Sequence, residues 1–317
     1  MRDHAAMIAA ELGHIAEFER RLQADGRPGG PEIDCLCEPD PHSRHLLFLL
    51  RCGGRHWLGR KLLERQPSGP PLPTSRIAPH MLLGEWEGFL EAEDGMRCHF
   101  RPADAARKRA VVAEAADDPG AELSFPFALL DEAGREIVSP PEYWSGDPRL
   151  AAALDEGEVH LREYTARLLG RLALPAGGIV YDPACSTGTF LASVKEAAPG
   201  LKVVGSDLSA AMVALARPRL DDAFVADAAT VALPEGCTLL VLRFLNAEVL
   251  TVAQAEAAFR RLSGQLRAGA HAVVFGHTSV LAPVGPLCAE LGFDRLRSIG
   301  ATPGKDEIFQ YYVLRRR

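Results

Sequence analysis

The chain has 317 residues, a formal net charge of −7 at neutral pH and 47% apolar residues. That length admits one large domain or two modest ones. An acidic surface with scattered Lys and Arg gives no electrostatic reason to bind nucleic acid. Seven cysteines, odd in number and irregular in spacing, fit reduced and mostly buried thiols of a cytoplasmic protein. Cys35-Leu-Cys37 has no matching second half, so Cys35, Cys37, Cys52 and His56 make a poor metal set and no metal is expected. Met1-Arg-Asp-His leads into a mixed helix and not into an apolar signal core. The longest run of large apolar residues, Leu46 to Leu50, is too short to cross a bilayer.

Residues 4–24 carry apolar positions at Met7, Ile8, Leu12, Ile15, Phe18 and Leu22, which predicts an amphipathic helix. Gly26 to Pro31 end it. Leu46 to Leu50, Gly53-Gly54 and His56 to Leu58 read as a hairpin, and a break follows at Pro67 to Pro73. Met81 to Ala92, Asp94-Gly95 and Met96 to Phe100 read as a second hairpin, with Asp-Gly supplying the turn. Ala105 to Ala116 is a candidate helix. Leu123 to Leu130 and Glu136 to Val138 read as a further strand pair. Residues 1–142 are thus expected to form an α+β domain that covers substrate, makes a homodimer contact, or both. His42, His45, His56, His80 and His99 are dispersed through it as surface or satisfied polar residues.

Ser139 to Pro148 is a proline-rich junction. Its Tyr143 and Trp144 either fold over a ligand cleft or staple the linker to the core. Asp155 to Leu172 is an amphipathic helix, with Glu163 and Arg167 spaced for an ion pair. Gly178-Ile-Val-Tyr-Asp-Pro-Ala-Cys-Ser-Thr-Gly-Thr-Phe-Leu191 then reads as a buried strand, a tight turn of small residues and a helix start. Such a turn lets backbone N–H groups approach a ligand, with the positive end of the helix dipole behind them. About 25 residues after Asp182, Val203 to Asp207 is a second apolar strand ending in an acid. An acid in that place suits the two hydroxyls of a ribose. Val225 to Ala228, Leu239 to Phe244 and Ala272 to Gly276 read as the next three strands. Phe293 to Ile299 and Glu307 to Leu314 close the chain as an antiparallel pair. Tyr311-Tyr312 in the last strand place one ring on each face.

This order resembles the class I S-adenosylmethionine (SAM)-dependent methyltransferases over roughly residues 145–317. Their turn is acid-x-Gly-x-Gly-x-Gly. Asp182, Ala184, Ser186 and Gly188 hold those places, so two glycines are replaced. A nicotinamide-binding Rossmann unit shares the first strand-turn-helix but continues with parallel units, where this chain ends in an antiparallel pair. The resemblance implies a Rossmann-like α/β fold with a seven-stranded sheet in residues 143–317, SAM as cofactor and S-adenosylhomocysteine as its product. It places Asp182, Ala184, Cys185, Ser186 and Gly188 around the cofactor's turn and Asp207 on the ribose. Leu208 and Met212 would flank the adenine, with Asp227 and Ala228 on its other edge. Tyr164 is expected either at the methionine end or in the core.

Strand four ends Arg243-Phe244-Leu245-Asn246, where this family positions the methyl acceptor. The base-gripping Asn-Pro-Pro-Tyr of DNA adenine methyltransferases is missing there, so a small-molecule acceptor is expected. Arg243 and Asn246 are candidates for a substrate carboxylate and amine, and Arg243 for an ion pair with Glu248. His277, at the end of strand five, is the best-placed general base, if a base is needed, and is equally readable as structural. The helix Glu158 to Leu169, taken with Asp182 to Gly188, is also similar to bacterial methionine S-methyltransferases. That similarity implies S-methylation of methionine, with Arg243 on the carboxylate and Tyr143, Trp144 and Phe244 around the product's charge. N- or O-methylation of another small metabolite is the main alternative, and a non-catalytic SAM-binding protein is a further one.

Overall fold

A computed structural model describes residues 33–62, 74–93, 95–131, 133–139, 155–247 and 249–317. The expected helix over 4–24, the break at Pro67 to Pro73, and Tyr143 and Trp144 lie outside the described residues. Among the described residues fourteen strands form two sheets. The first half contributes an antiparallel six-stranded sheet with β1 (Asp34–Glu38), β2 (Leu47–Cys52), β3 (Arg55–Arg60), β5 (Leu82–Ala92), β6 (Gly95–Pro102) and β7 (Glu122–Ser124), in the order β1-β6-β5-β3-β2-β7. Both expected hairpins are there. The expected pair over 123–130 and 136–138 is not: β7 pairs with β2 instead, and Leu130 and Glu136 make only an isolated bridge. Glu136 and Ile137 are only half-buried and Val138 is exposed, too little apolar burial to hold a separate ribbon.

The second sheet runs β10-β9-β8-β11-β12-β14-β13. Its strands are β8 (Ile179–Asp182), β9 (Lys202–Asp207), β10 (Asp222–Val225), β11 (Cys237–Leu242), β12 (His271–Phe275), β13 (Phe293–Ala301) and β14 (Ile308–Arg316). The first five are mutually parallel, and β14 enters antiparallel between β12 and β13. Near-continuous apolar residues along β8, β11 and β12 reflect burial on both faces. Alternate residues therefore enter two cores. Val180, Val241, Val273 and Tyr311 pack on α2 (Val159–Leu169), α3 (Thr189–Ala197) and α4 (Ala210–Ala216). Tyr181, Leu240, Val274 and Tyr312 pack on α5 (Val252–Ser263) and α6 (Val284–Glu290). Tyr311 and Tyr312 thus take opposite faces, as the strand period requires.

The two halves share structure. A two-residue strand from the first half, β4 (Arg76–Ile77), pairs with Phe309 and Ile308 of β14, just beyond where β12 leaves it. The core between the halves unites Phe48, Leu82 and Val111, the last from α1 (Ala105–Asp117), with Ile299 and Ile308. No helix among the described residues is long and apolar enough to cross a membrane.

Candidate functional site

The parallel strands β8 to β12 end on one edge of the sheet, and the side chains singled out by the sequence collect there. Asp182 closes β8 with no exposure. Its Oδ1 accepts from the Ala184 N–H at 2.9 Å, folding the chain into the turn. Cys185 N–H then donates to the Ser206 carbonyl at 2.8 Å, and Ser186 N–H to Asp207 Oδ2 at 2.9 Å. The turn is therefore laced to the end of β9. Gly205 permits this closeness, since a Cβ there would stand 2.7 Å from Cys185 Sγ. Ser186 has φ of 52°, the left-handed conformation that a glycine takes without strain. Gly188, with φ of 78°, starts α3, and its missing Cβ would meet Ala216 at 3.0 Å.

Asp207 also accepts from Ser209 N–H at 2.9 Å through Oδ1, and Ser209 caps α4 by accepting from Met212 N–H. Each carboxylate oxygen keeps a second lone pair for a ligand. Leu208 and Val225 beside it are more than half exposed, unusual for large apolar side chains at neighbouring strand ends. Met212 is buried and receives the Ser186 hydroxyl at its sulfur, 3.8 Å away. Beyond β10, Asp227 accepts from Ala229 N–H at 2.7 Å, and its carbonyl takes the Val231 N–H. The acid was expected inside the third strand; β10 stops at Val225 and leaves Asp227 and Ala228 on the following loop.

Arg243 leaves β11 and turns inward. Its Nη1 donates to Glu158 Oε2 at 2.6 Å, its Nε lies 3.5 Å from Asp182 Oδ2, and it stands 5.5 Å over the Phe190 ring. Burial works against its charge, but Glu158 and Asp182 outweigh that and hold it above the ordinary arginine value. Burial also dominates at Asp182, pushing its carboxyl up to about 7 against the pull of Arg243. Phe244 is half-buried against the α5 side of the sheet. Asn246 donates to Thr278 Oγ1 at 2.7 Å. His277 is buried, and its carbonyl accepts from Ser75 N–H at 2.8 Å, while Ser75 Oγ donates to the Gly276 carbonyl at 2.9 Å. A segment of the first half is thus fastened to the strand-five exit. Tyr164 stands apart from this group. Its ring packs on Phe309 and Tyr311, its hydroxyl reaches toward the Ile299 carbonyl at 3.5 Å, and burial raises its pKa.

Sequence reasoning missed three partners. Glu158 and Asp155 sit at the entry to α2, where acids are common for dipole reasons alone, so nothing marked them. Asp155 Oδ2 accepts from Thr187 and Thr189 hydroxyls at 3.2 and 2.7 Å, tying that helix to the turn. His160 is buried against Phe309, and burial, with Arg76 and His277, pushes it down to about 3, which makes it a neutral acceptor. Ser209 was findable, because Asp-Leu-Ser before an apolar run is an N-cap signal. Among the described residues, Asp182 Oδ2, Asn246 Oδ1 and His160 Nε2 are buried acceptors that receive no hydrogen bond.

A seven-strand path with strand order 3-2-1-4-5-7-6, an acid at the end of each of the first two strands and a left-handed small-residue turn between them define a class I SAM-dependent methyltransferase. Residues 180–269 match the family described as "Methyltransferase domain". Isonocardicin synthase from Nocardia uniformis subsp. tsuyamanensis is 38% identical over 293 residues, which is 90% of this chain and 95% of that protein. The chain belongs to the class I SAM-dependent methyltransferase family. It is an enzyme that takes SAM as cofactor and a small molecule as substrate. Among solved structures it is similar to a SAM-bound amino pentose methyltransferase from Micromonospora echinaspora, at 17% identity and TM-score 0.43, covering 54% of this chain and 98% of that one. It is also similar to magnesium protoporphyrin IX methyltransferase from Synechocystis PCC 6803, at 16% identity and TM-score 0.40, covering 54% and 87%.

Proposed function

We propose that the enzyme alkylates a heteroatom of a small metabolite related to isonocardicin. SAM would lie across the edge formed by Asp182, Ser186, Gly188 and Asp207, and Leu208, Met212, Asp227 and Ala228 would surround its adenine. The observation that carries the reading is the 38% identity extending over nearly the whole chain, including the first half. Transfer from a sulfonium needs the acceptor lone pair held in line behind the carbon at about 3 Å. The strand-four and strand-five exits, with Asn246 and His277, are where that acceptor sits in this reading. His277 takes the proton from an oxygen or nitrogen acceptor. Buried acceptors without donors, Asn246 Oδ1 and His160 Nε2, suit a substrate bearing hydroxyl or amine hydrogens. The first half, residues 1–142, covers the substrate through Ser75 and offers a homodimer surface, while residues 143–317 carry the chemistry. A cytoplasmic location fits the thiol content and the acidic surface, and neither calls for nucleic acid.

Methionine S-methylation is the second reading. It requires a cation for the amino-acid carboxylate, and Arg243 is engaged by Glu158 and Asp182. Incubation with SAM and a panel of phenols, amines and L-methionine, followed by mass spectrometry of acceptor and nucleoside, tests both readings. The expected result is a phenol or amine gaining one methyl group with S-adenosylhomocysteine released. Methionine as sole acceptor would overturn the first reading. A different thioether nucleoside would show that another of the sulfonium's three carbons had moved, and would overturn methyl transfer.

A further inference from the structure

The loop that carries Asp227 is held from behind by one side chain of α5. Arg261 Nη1 donates to the Val231 carbonyl at 2.7 Å, and its Nη2 donates to the Ala228 carbonyl. In a planar trans peptide the carbonyl and the next N–H point in opposite directions. With the Ala228 carbonyl drawn to Arg261, the Ala229 N–H is turned the other way, where it meets Asp227 Oδ1 at 2.7 Å. The same loop is closed by the Thr230 and Val231 N–H groups on the Asp227 carbonyl, and Gln265 of the following turn takes the Leu233 N–H at 3.0 Å. One guanidinium therefore sets the plane of the peptide that fixes one oxygen of Asp227. The other oxygen is left to the exposed side of the loop.

We propose that Arg261 is a positioning residue for adenine recognition, acting through the 228–229 peptide to aim the Asp227 carboxylate at the exocyclic amine. This assignment rests on the adenine site proposed above. The planar fork of arginine is required, because one side chain must reach two carbonyls three residues apart. Its sequence neighbour Arg260 makes an internal control. It lies on the same helix but pairs with Glu256 and Glu290, away from the loop.

Titration calorimetry with S-adenosylhomocysteine and with S-inosylhomocysteine, whose amine is replaced by an oxo group, tests it. The wild-type protein should favour the adenosyl compound by about ten- to a hundredfold, the range of one hydrogen bond to a charged group. Arg261→Gln should bind the adenosyl compound about tenfold more weakly and lose most of that preference, while Arg261→Lys should fall between. Arg260→Gln should lower thermal stability yet keep wild-type affinity and preference. A merely structural role for Arg261 would weaken both ligands alike. An Arg261→Gln protein that keeps the full preference therefore overturns the inference. Wild-type protein that binds neither nucleoside overturns the cofactor site itself.

Discussion

Arg243 is the side chain whose removal has the most consequence for the site's electrostatics. Replacing it with Met keeps much of the stem's volume and its contact with Phe190 but leaves Glu158 and Asp182 as facing buried carboxylates. Breaking a buried pair from one side costs about 3–5 kcal/mol. The loss should vary with pH. Asp182 already titrates at about 7 with Arg243 beside it, so below that value it is largely neutral and makes little demand on the arginine. At pH 6 the cost falls mainly on Glu158, and at pH 8 on both acids, with roughly 1.4 kcal/mol more for each unit by which the Asp182 pKa climbs further. Urea unfolding of wild type and Arg243→Met at pH 6 and 8 measures this, and Glu158→Gln in the Arg243→Met background should recover part of the loss. A loss under about 1 kcal/mol at both pH values would refute the buried network.

Three further outcomes are expected. Because the Asp182 pKa is raised on folding, the unfolded chain ionises first. Ligand-free stability should therefore decline as pH rises from about 4 to 7, by roughly 4 kcal/mol for this group, and level off above. Asp182→Asn should flatten that stretch of the stability–pH curve, and an unchanged curve would count against it. Asp207→Ala removes the acceptor for two backbone N–H groups as well as the proposed ribose contacts, so S-adenosylhomocysteine affinity should drop by about a hundredfold or more in calorimetry. Ser186→Gly relieves a left-handed serine and should leave stability equal or up to about 1 kcal/mol higher, read from thermal melts, with cofactor affinity unchanged.

The parallel part of the sheet was readable because β8, β9, β11 and β12 are short apolar runs, and β8 and β9 each end in an acid. The positions of Asp182 and Asp207 followed directly from that pattern. What was not readable depends on contacts remote in sequence. Arg243 meets Glu158, 85 residues away, a partner that no local spacing suggests, while the suggested Glu248 lies outside the described residues. The pairing of β7 with β2 spans about as far, and nothing local distinguishes it from a hairpin with 136–138. Single-residue cues in the turn were clearer. Ser186 takes the backbone conformation of the glycine it replaces, so the departure from the usual turn changes local strain and not the path of the chain.

The β4–β14 pairing has a consequence for how the protein can be cut. A fragment beginning at residue 143 would carry the whole parallel sheet, yet it would leave Ile299 and Ile308 facing water and the Gly276 carbonyl without the Ser75 hydroxyl. The second half is therefore not a detachable module, and engineering of the first half will be felt at the ends of the parallel strands, where the proposed site lies.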